Sequence, residues 1–256
     1  MRIATWNVNS VKARRERVLA WLARTRPDVA CLQELKTEDA AFPHDDIRGA
    51  GYHAVVHGQR TYNGVAILTR EPATQVEIGL GDGVDDPQAR LVSARIGAVR
   101  VLSVYVPNGG EPGSDKLRYK LEWLARLERY LRERCDPHAP LALCGDLNVA
   151  PDARDVARPE EWNATVLCLP EVRAGFERLT AWGLEDCFRR LHPEGGHYSW
   201  WDYRMLGFPK NNGLRIDHVL ATLPLAARAT AAVIDRDERK GKLPSDHAPV
   251  VMDFAE

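Results

Sequence analysis

Nine short β-patterned segments recur along the sequence, and their order constrains the fold more than any other feature. Between Tyr52 and Val106 four of these segments follow one another without a predicted crossover helix between them. Parallel neighbours need such a crossover, so antiparallel or mixed pairing is expected. The predicted strands are Ile3 to Val8, Asp28 to Gln33, Tyr52 to His57, Gly64 to Leu68, Leu91 to Ile96, Arg100 to Val106, Leu141 to Cys144, Ile216 to Ala221 and Pro249 to Phe254.

Three segments with helical patterns and plausible caps lie between some of these strands. They are Val11 to Arg24 after Ser10, Asp115 to Arg134 after Ser114, and Glu171 to Trp182 before Gly183. Strands and helices mixed in this way predict the α/β class. The expected architecture is a four-layered α/β sandwich, in which two packed, mostly antiparallel mixed β-sheets are flanked by helices.

Length and composition are typical of one globular domain over residues 1–256. The chain is 45% hydrophobic, and its five widely spaced cysteines lack a C-x-x-C pair, which indicates reduced core residues. A net charge of −1 means that any nucleic-acid binding must come from a local basic rim. No apolar stretch near the N-terminus is long enough for a signal peptide or a membrane span, which predicts a cytoplasmic protein.

Acidic and amide residues stand where several predicted strands end. Oxygen ligands that converge on rigid strand ends form the kind of site that Mg²⁺ prefers. Each side chain could equally begin a turn by bonding its own backbone, so for any single residue both interpretations stay open. The residues are Asn7, Asn9, Glu34, Asn108, Asp146 and Asn148.

A histidine and a carboxylate, His247 and Asp246, stand together at the entrance of the last predicted strand. This pair could assist phosphate chemistry or could simply form a turn. Asp217 begins another predicted strand and offers a second carboxylate. That carboxylate could fix the imidazole tautomer of His247 and favour its charged form.

Seven motifs occur in the order seen in exonuclease III: WNVNS, QELK, YVPN, GDLN, YSWWDYR, GLRIDH and SDHAPV. They span nearly the whole chain, which therefore resembles the exonuclease III family of the larger endonuclease, exonuclease and phosphatase superfamily. The resemblance implies a Mg²⁺-dependent phosphodiesterase of DNA base excision repair. Such an enzyme cleaves duplex DNA 5′ to abasic sites and removes blocking groups or nucleotides from 3′ ends.

The resemblance also implies a metal site, with Glu34 as the principal Mg²⁺ ligand and Asn7 nearby. Mn²⁺ is expected to substitute for Mg²⁺. Asn9 departs from the human member of the family, which carries aspartate there, so the affinity for metal and the number of ions are left open. The predicted metal-binding residues are Asn7, Glu34, Asp146, Asn148, Asp246 and His247.

The implied catalytic residues are Tyr105, Asp146, Asn148, Asp217 and His247. Asp146 would orient or deprotonate the attacking water, and Asn148 would stabilise the phosphoryl oxygens. His247, held by Asp217, would donate to a non-bridging phosphate oxygen. Tyr105 would reach the scissile phosphate or the departing 3′ oxygen, although a tyrosine in a VLSVYV run is commonly a packed strand aromatic. Both interpretations of Tyr105 stay open.

Predicted DNA contacts are spread over several loops. In the family, an aromatic at the position of Trp200 lines a small pocket for a flipped-out abasic sugar, together with residues matching Leu214 and Ile216. The aromatic loop could also be a buried cluster, and an exposed arginine is commonly just a solvated charge. The predicted DNA-binding residues are Lys36, Arg90, Asn108, Trp200, Arg204, Leu214, Arg215 and Ile216.

The expected partner is double-stranded DNA with an abasic site or a 3′ end, bound by a monomer with no membrane involvement and, in a prokaryote, associated with the nucleoid. Gly109 and Gly110 leave the loop after YVPN bare, so the balance of endonuclease and exonuclease activity is open. Two alternatives remain. One is a phosphodiesterase of the superfamily that acts on a non-DNA phosphoester, and the other is a catalytically idle nucleic-acid-binding regulator of the same fold.

Overall fold

The computed structural model describes residues 1–256 and contains twelve β-strands and seven α-helices. The strands are β1 Arg2–Asn7, β2 Val29–Gln33, β3 His53–His57, β4 Val65–Thr69, β5 Thr74–Ile78, β6 Leu91–Ile96, β7 Val99–Tyr105, β8 Leu141–Asp146, β9 Leu184–Asp186, β10 Asp217–Thr222, β11 Ala229–Ile234 and β12 Val250–Phe254. The helices are α1 Arg15–Thr25, α2 His44–Gly49, α3 Asp115–Arg134, α4 Pro159–Trp162, α5 Pro170–Gly183, α6 Cys187–Leu191 and α7 Leu223–Ala226.

The strands form two six-stranded sheets, in the orders β11-β12-β1-β2-β4-β3 and β5-β6-β7-β8-β10-β9. Each sheet has one parallel pair, β1 with β2 and β7 with β8, and all its other pairs are antiparallel. Helices α1 and α3 are the crossovers that these two parallel pairs require. The expected sandwich of two mixed sheets flanked by helices is therefore confirmed.

Alternating side chains divide each inner strand between two apolar cores. In β1, Ile3 faces the core between the two sheets, whereas Ala4 and Trp6 pack beneath α1. In β8, Cys144 joins the same inner core and Leu143 packs beneath α3 and α5. This period of two is what a sheet covered on both faces requires.

All nine predicted strands and all three predicted helices are present, with boundaries shifted by a few residues at most. Ser10 does not cap α1 as predicted, because its hydroxyl accepts from the backbone N–H of Ala13 in a turn and the helix begins at Arg15. Strands β5, β9 and β11 were missed. They are edge or three-residue strands with weak alternation, and edge strands receive little of the burial that a sequence pattern reports.

The five cysteines are free thiols, and four of them are buried, as the sequence predicted. No helix combines the length and the apolar character needed to cross a lipid bilayer.

Candidate active site

The candidate site lies where the inner faces of both sheets change from apolar to polar. Along β1 the inward positions run from Ile3 through Thr5 to Asn7, and along β8 they run from Cys144 to Asp146. Strand pairing then sets Asp146 opposite both Tyr105 and Asp217. The alternation that buries the core therefore also aims these polar side chains into one cleft.

Asn7 links the two carboxylates of the cleft. Its amide nitrogen donates to Glu34 Oε1 at 2.8 Å and to Asp146 Oδ2 at 2.9 Å, and its side chain is fully buried. Lys36 Nζ lies 2.9 Å from Glu34 Oε2. Glu34 and Lys36 both adopt positive φ, at 50° and 53°, and such strained backbone commonly marks a functional site.

The GDLN segment holds Asp146 in place through its own backbone. Asp146 Oδ1 accepts from the N–H of Asn148 at 3.0 Å, so the carboxylate begins a turn as well as facing the cleft. Asn148 in turn accepts from the amide of Asn108 at 3.2 Å. Only glycine fits before the aspartate, because a Cβ on Gly145 would lie 1.9 Å from the carbonyl oxygen of Val104.

His247 is fixed by a chain of hydrogen bonds behind the cleft. Its Nδ1 lies 2.9 Å from Asp217 Oδ2, and Ser199 Oγ donates to that same oxygen at 2.6 Å. The ring's other nitrogen, Nε2, lies 3.7 Å from Asp146 Oδ2. The structure thus brings His247 and Asp217 together as the sequence suggested.

Burial and neighbouring acidic side chains shift the pKa values of three residues in the cleft. Burial raises the pKa of Asp146, and the neighbouring carboxylates of Asp217 and Glu34 add to that rise. Burial alone would lower the pKa of His247, but Asp217 and Asp146 outweigh it and raise the pKa. Burial and the nearby acids raise the pKa of Tyr105, whose neutral hydroxyl donates to Glu34 Oε1 at 3.0 Å.

A cation could be held where Glu34, Asp146 and His247 meet, since one ligand atom from each lies within 4.8 Å of the others. The raised pKa of His247 favours an imidazolium that donates hydrogen bonds, which suits its predicted catalytic role better than its predicted role as a metal ligand. Asp246 stands outside this cluster, because it accepts from Asn9 at 2.9 Å and from the indole of Trp200 at 3.0 Å.

Two of the predicted DNA-binding residues, Arg90 and Asn108, line a surface pocket of about 590 Å³ that Tyr105 also lines. Asn108 is exposed there, whereas Arg90 is largely buried and donates to the carbonyl of Tyr105 at 2.9 Å. Trp200 is half-buried, with its ring 6.4 Å from that of His247. Arg204 is exposed over 84% of its side chain and pairs with Asp202.

The structure contradicts the predicted DNA contact of Arg215. Its guanidinium is buried and pairs with Asp155 and Asp186, each at 2.7 Å. It is therefore not accessible to a DNA phosphate. Leu214 and Ile216 are likewise buried, at 0% and 2% exposure. They pack in an apolar cluster against Trp200, so the predicted direct contact with a DNA sugar is not available in this structure.

Two residues that build the site, Lys120 and Ser199, were not predicted from the sequence. Lys120, fully buried in α3, donates to the carbonyls of Asn108 at 3.1 Å and Asn148 at 2.6 Å, and so ties the YVPN and GDLN loops together. Lys120 lies three residues after Leu117 and four before Leu124, on the apolar face of α3, and this spacing is the signal that could have found it. Ser199 was also missed, since a serine within an aromatic motif does not predict a bond to Asp217.

A mixed two-sheet sandwich with an acidic and imidazole cluster at the mouth of its inner core defines a class of phosphoester-cleaving proteins. The chain belongs to the endonuclease/exonuclease/phosphatase family, whose model matches residues 4–247. It is 37% identical to the exodeoxyribonuclease III of Haemophilus influenzae, over 99% of this chain and all of the relative. The predicted kinship with exonuclease III is thereby confirmed.

Two solved structures share the fold over the full length of both chains. An AP endonuclease from Archaeoglobus fulgidus is 38% identical, with a TM-score of 0.97. The 3′ phosphatase NExo from Neisseria, solved with a product DNA hairpin, is 41% identical, also with a TM-score of 0.97.

Proposed function

We propose that this protein is a metal-dependent DNA-repair nuclease that hydrolyses the backbone of duplex DNA 5′ to abasic sites and removes blocking groups or nucleotides from 3′ ends. The observation that carries the proposal is the convergence of Glu34, Asp146 and His247 in one cleft. Family membership and relatives that are a nuclease, an AP endonuclease and a 3′ phosphatase support it. One domain over residues 1–256, acting as a monomer at the nucleoid, is part of the same proposal.

Mg²⁺ is the proposed cofactor, with Mn²⁺ able to replace it. The donors fit a hard cation, because the carboxylates of Glu34 and Asp146 are oxygen ligands of the kind that Mg²⁺ favours. Asn7 positions these two carboxylates through its amide nitrogen, while its amide oxygen accepts from the N–H of Asn9 at 3.0 Å. The buried negative charge around Asp146 also supports a cation there. When bound, the ion would offset charge on the phosphate and on the departing 3′ oxygen.

The chain's own side chains divide the remaining work of hydrolysis. Asp146, with its raised pKa, orients the attacking water and accepts its proton. His247, kept protonated by Asp217, donates its free N–H to a non-bridging phosphate oxygen. Asn148 adds a further hydrogen bond to the phosphoryl group, held in position by Asp146 and Asn108.

Substrate binding is proposed to use the rim of the cleft. Tyr105 carries a neutral hydroxyl that can donate to the scissile phosphate or to the departing oxygen once it leaves Glu34. Asn108 and Trp200 are the partly exposed residues on either side of the catalytic cluster. Lys36 supplies positive charge beside Glu34.

The proposal is tested with a duplex oligonucleotide that carries a tetrahydrofuran abasic analogue. With Mg²⁺ the protein should nick the strand on the 5′ side of the analogue and leave a 3′ hydroxyl, and EDTA should abolish the cut. Glu34→Gln should lose at least about 10²-fold in turnover, whereas Glu38→Gln, an exposed acid in the same loop, should behave as wild type. Absence of nicking with both Mg²⁺ and Mn²⁺ would favour the idle regulator.

A further inference from the structure

A second cluster of metal-ligating side chains lies outside the catalytic cleft, in the loop that follows α6. Its members are His192, Glu194 and His197, and one ligand atom from each lies within 4.8 Å of the others. Glu194 Oε1 stands between the two rings, 3.3 Å from His192 Nδ1 and 2.8 Å from His197 Nε2. The cluster shares no residue with the cleft.

The hydrogen bonds of His192 fix its tautomer. Its Nε2 lies 3.0 Å from the carbonyl oxygen of Ala232, and a carbonyl can only accept, so the proton is on Nε2. In the neutral ring Nδ1 is then a bare lone pair that faces the Glu194 carboxylate. Two lone pairs at that distance repel each other, unless a proton or a cation lies between them. A backbone carbonyl that accepts from the far nitrogen is also the usual support of a metal-bound histidine.

Contacts within the protein fix the conformation of this loop without a bound ligand. Arg189 donates to the carbonyls of His192 and Glu194, and Arg154 donates to the carbonyl of Pro193 at 2.8 Å. Gly196 has a φ of +90°, which lets the chain turn back so that His197 faces Glu194. Both imidazole rings also pack against Phe188, that of His192 tilted at 4.7 Å between centroids and that of His197 edge-on at 5.3 Å.

We propose that His192, Glu194 and His197 form a site for a divalent transition-metal cation of the Zn²⁺ class. Two imidazoles and one carboxylate suit Zn²⁺, Co²⁺ or Ni²⁺, whereas Mg²⁺ favours oxygen ligands alone. All three side chains are partly exposed, and the two rings line a surface cavity of about 220 Å³, so an ion can enter and a fourth position stays open.

The first test follows the side-chain nitrogens of the eight histidines by NMR during a Zn²⁺ titration. Excess Mg²⁺ and the Glu34→Gln background separate the site from the cleft. The signals of His192 Nδ1 and His197 Nε2 should move together and saturate at one equivalent. His138 should not respond, because it is exposed and bonds Asp136 through its backbone N–H and not through its ring. An imidazolium at His192 that persists through the titration would overturn the proposal.

The second test measures Zn²⁺ affinity by equilibrium dialysis. His192→Ala and His197→Ala should each weaken binding at least about tenfold, and Glu194→Gln should weaken it less because an amide oxygen remains. His138→Ala is the matched control and should leave the affinity unchanged. Equal affinities for wild type and both loop histidine variants, or an equal loss in His138→Ala, would contradict the site. Neither result depends on nuclease activity.

Discussion

Two buried histidine and carboxylate clusters lie side by side, and the GLRIDH segment supplies both. Asp217 faces the cleft and holds His247. Its neighbours Arg215 and His218 face the other way, into a closed network with Asp155 and Asp186. The two clusters have the same residue types but differ in how their charges and hydrogen bonds are satisfied.

The closed network is balanced. The Arg215 guanidinium donates to Asp155, to Asp186 and to Nδ1 of His218, while the other nitrogen of His218 donates to the carbonyl of Val149 at 2.9 Å. Arg189 pairs with Asp155 as well, so two carboxylates face two guanidinium groups. Arg215 and His218 hold the pKa of Asp186 well below its usual value despite its burial. Nothing in the network requires a ligand.

The cleft is unbalanced by comparison. Three carboxylates, those of Glu34, Asp146 and Asp217, form ion pairs with only two cationic groups, Lys36 and His247. Burying excess negative charge is unfavourable unless a cation compensates it. Burial of charged groups alone therefore does not mark a functional site, whereas burial of charge that no partner compensates does.

The largest expected effect is on turnover, from substitutions in the cleft. Asp146→Asn and His247→Asn should each lower kcat on abasic DNA by about 10²–10⁴-fold, because each removes a proton acceptor or donor of the proposed hydrolysis. His247→Asn keeps a donor for Asp217. Steady-state kinetics and urea unfolding are measured on the same preparations.

The free energy of unfolding shows whether a loss of turnover comes from lost chemistry or from a destabilised fold. Asp146→Asn relieves repulsion from Asp217 and Glu34, so its unfolding free energy should stay within about 1 kcal/mol of wild type. Asp45→Asn, a fully exposed acid, is the control for both measurements. Wild-type turnover in both cleft variants would refute the assigned roles.

The next effect is on stability and comes from the balanced network. Arg215→Met should lower the unfolding free energy by about 3–5 kcal/mol, because Asp186 and Asp155 lose the buried guanidinium that pairs with both of them. The folded fraction should keep its turnover within about threefold. Urea denaturation measures the first quantity and kinetics at low temperature measure the second. A loss of turnover with stability unchanged would instead place Arg215 in the catalytic machinery.

Much of the fold could be predicted from the sequence because the inner strands are buried on both faces and so show strong patterns. Strands such as β6 and helix α3 were located to the residue. The edge strand β11 was not, because its alanine-rich sequence is largely exposed and carries little apolar contrast. Edge position is a property of the assembled sheet, which no local pattern reports.

Site residues at the ends of strands were predicted from the sequence. A residue that contributes by binding backbone carbonyls was not. Glu34, Asp146 and His247 were found because strand ends meet at one edge of the sandwich. Arg215 was wrongly placed at the DNA surface, since a sequence does not distinguish a solvated arginine from one with two buried acidic partners. Lys120 was not predicted, because its role is to bind the carbonyls of Asn108 and Asn148, and only the folded structure shows these contacts.

The smallest expected effect concerns an exposed pair that belongs to neither cluster. Arg204 bonds Asp202 two residues earlier, at 2.7 Å, and Arg154 bonds Asp152 with the same spacing, at 2.5 Å. If Arg204 binds DNA phosphate as predicted, Arg204→Ala should weaken DNA binding about threefold and lower the slope of log Kd against log salt concentration by about 1. Stability should change by less than about 0.5 kcal/mol, because an exposed ion pair contributes little.

Arg154→Ala is the matched control for this substitution, since it removes a pair of the same local geometry outside the predicted DNA surface. Fluorescence anisotropy with a labelled abasic duplex, measured at several salt concentrations, gives both slopes. A salt slope that falls only in Arg204→Ala identifies a phosphate contact. Equal slopes in the two variants would reduce Arg204 to a solvated charge, and the DNA-binding rim would then depend on Asn108, Trp200 and Lys36.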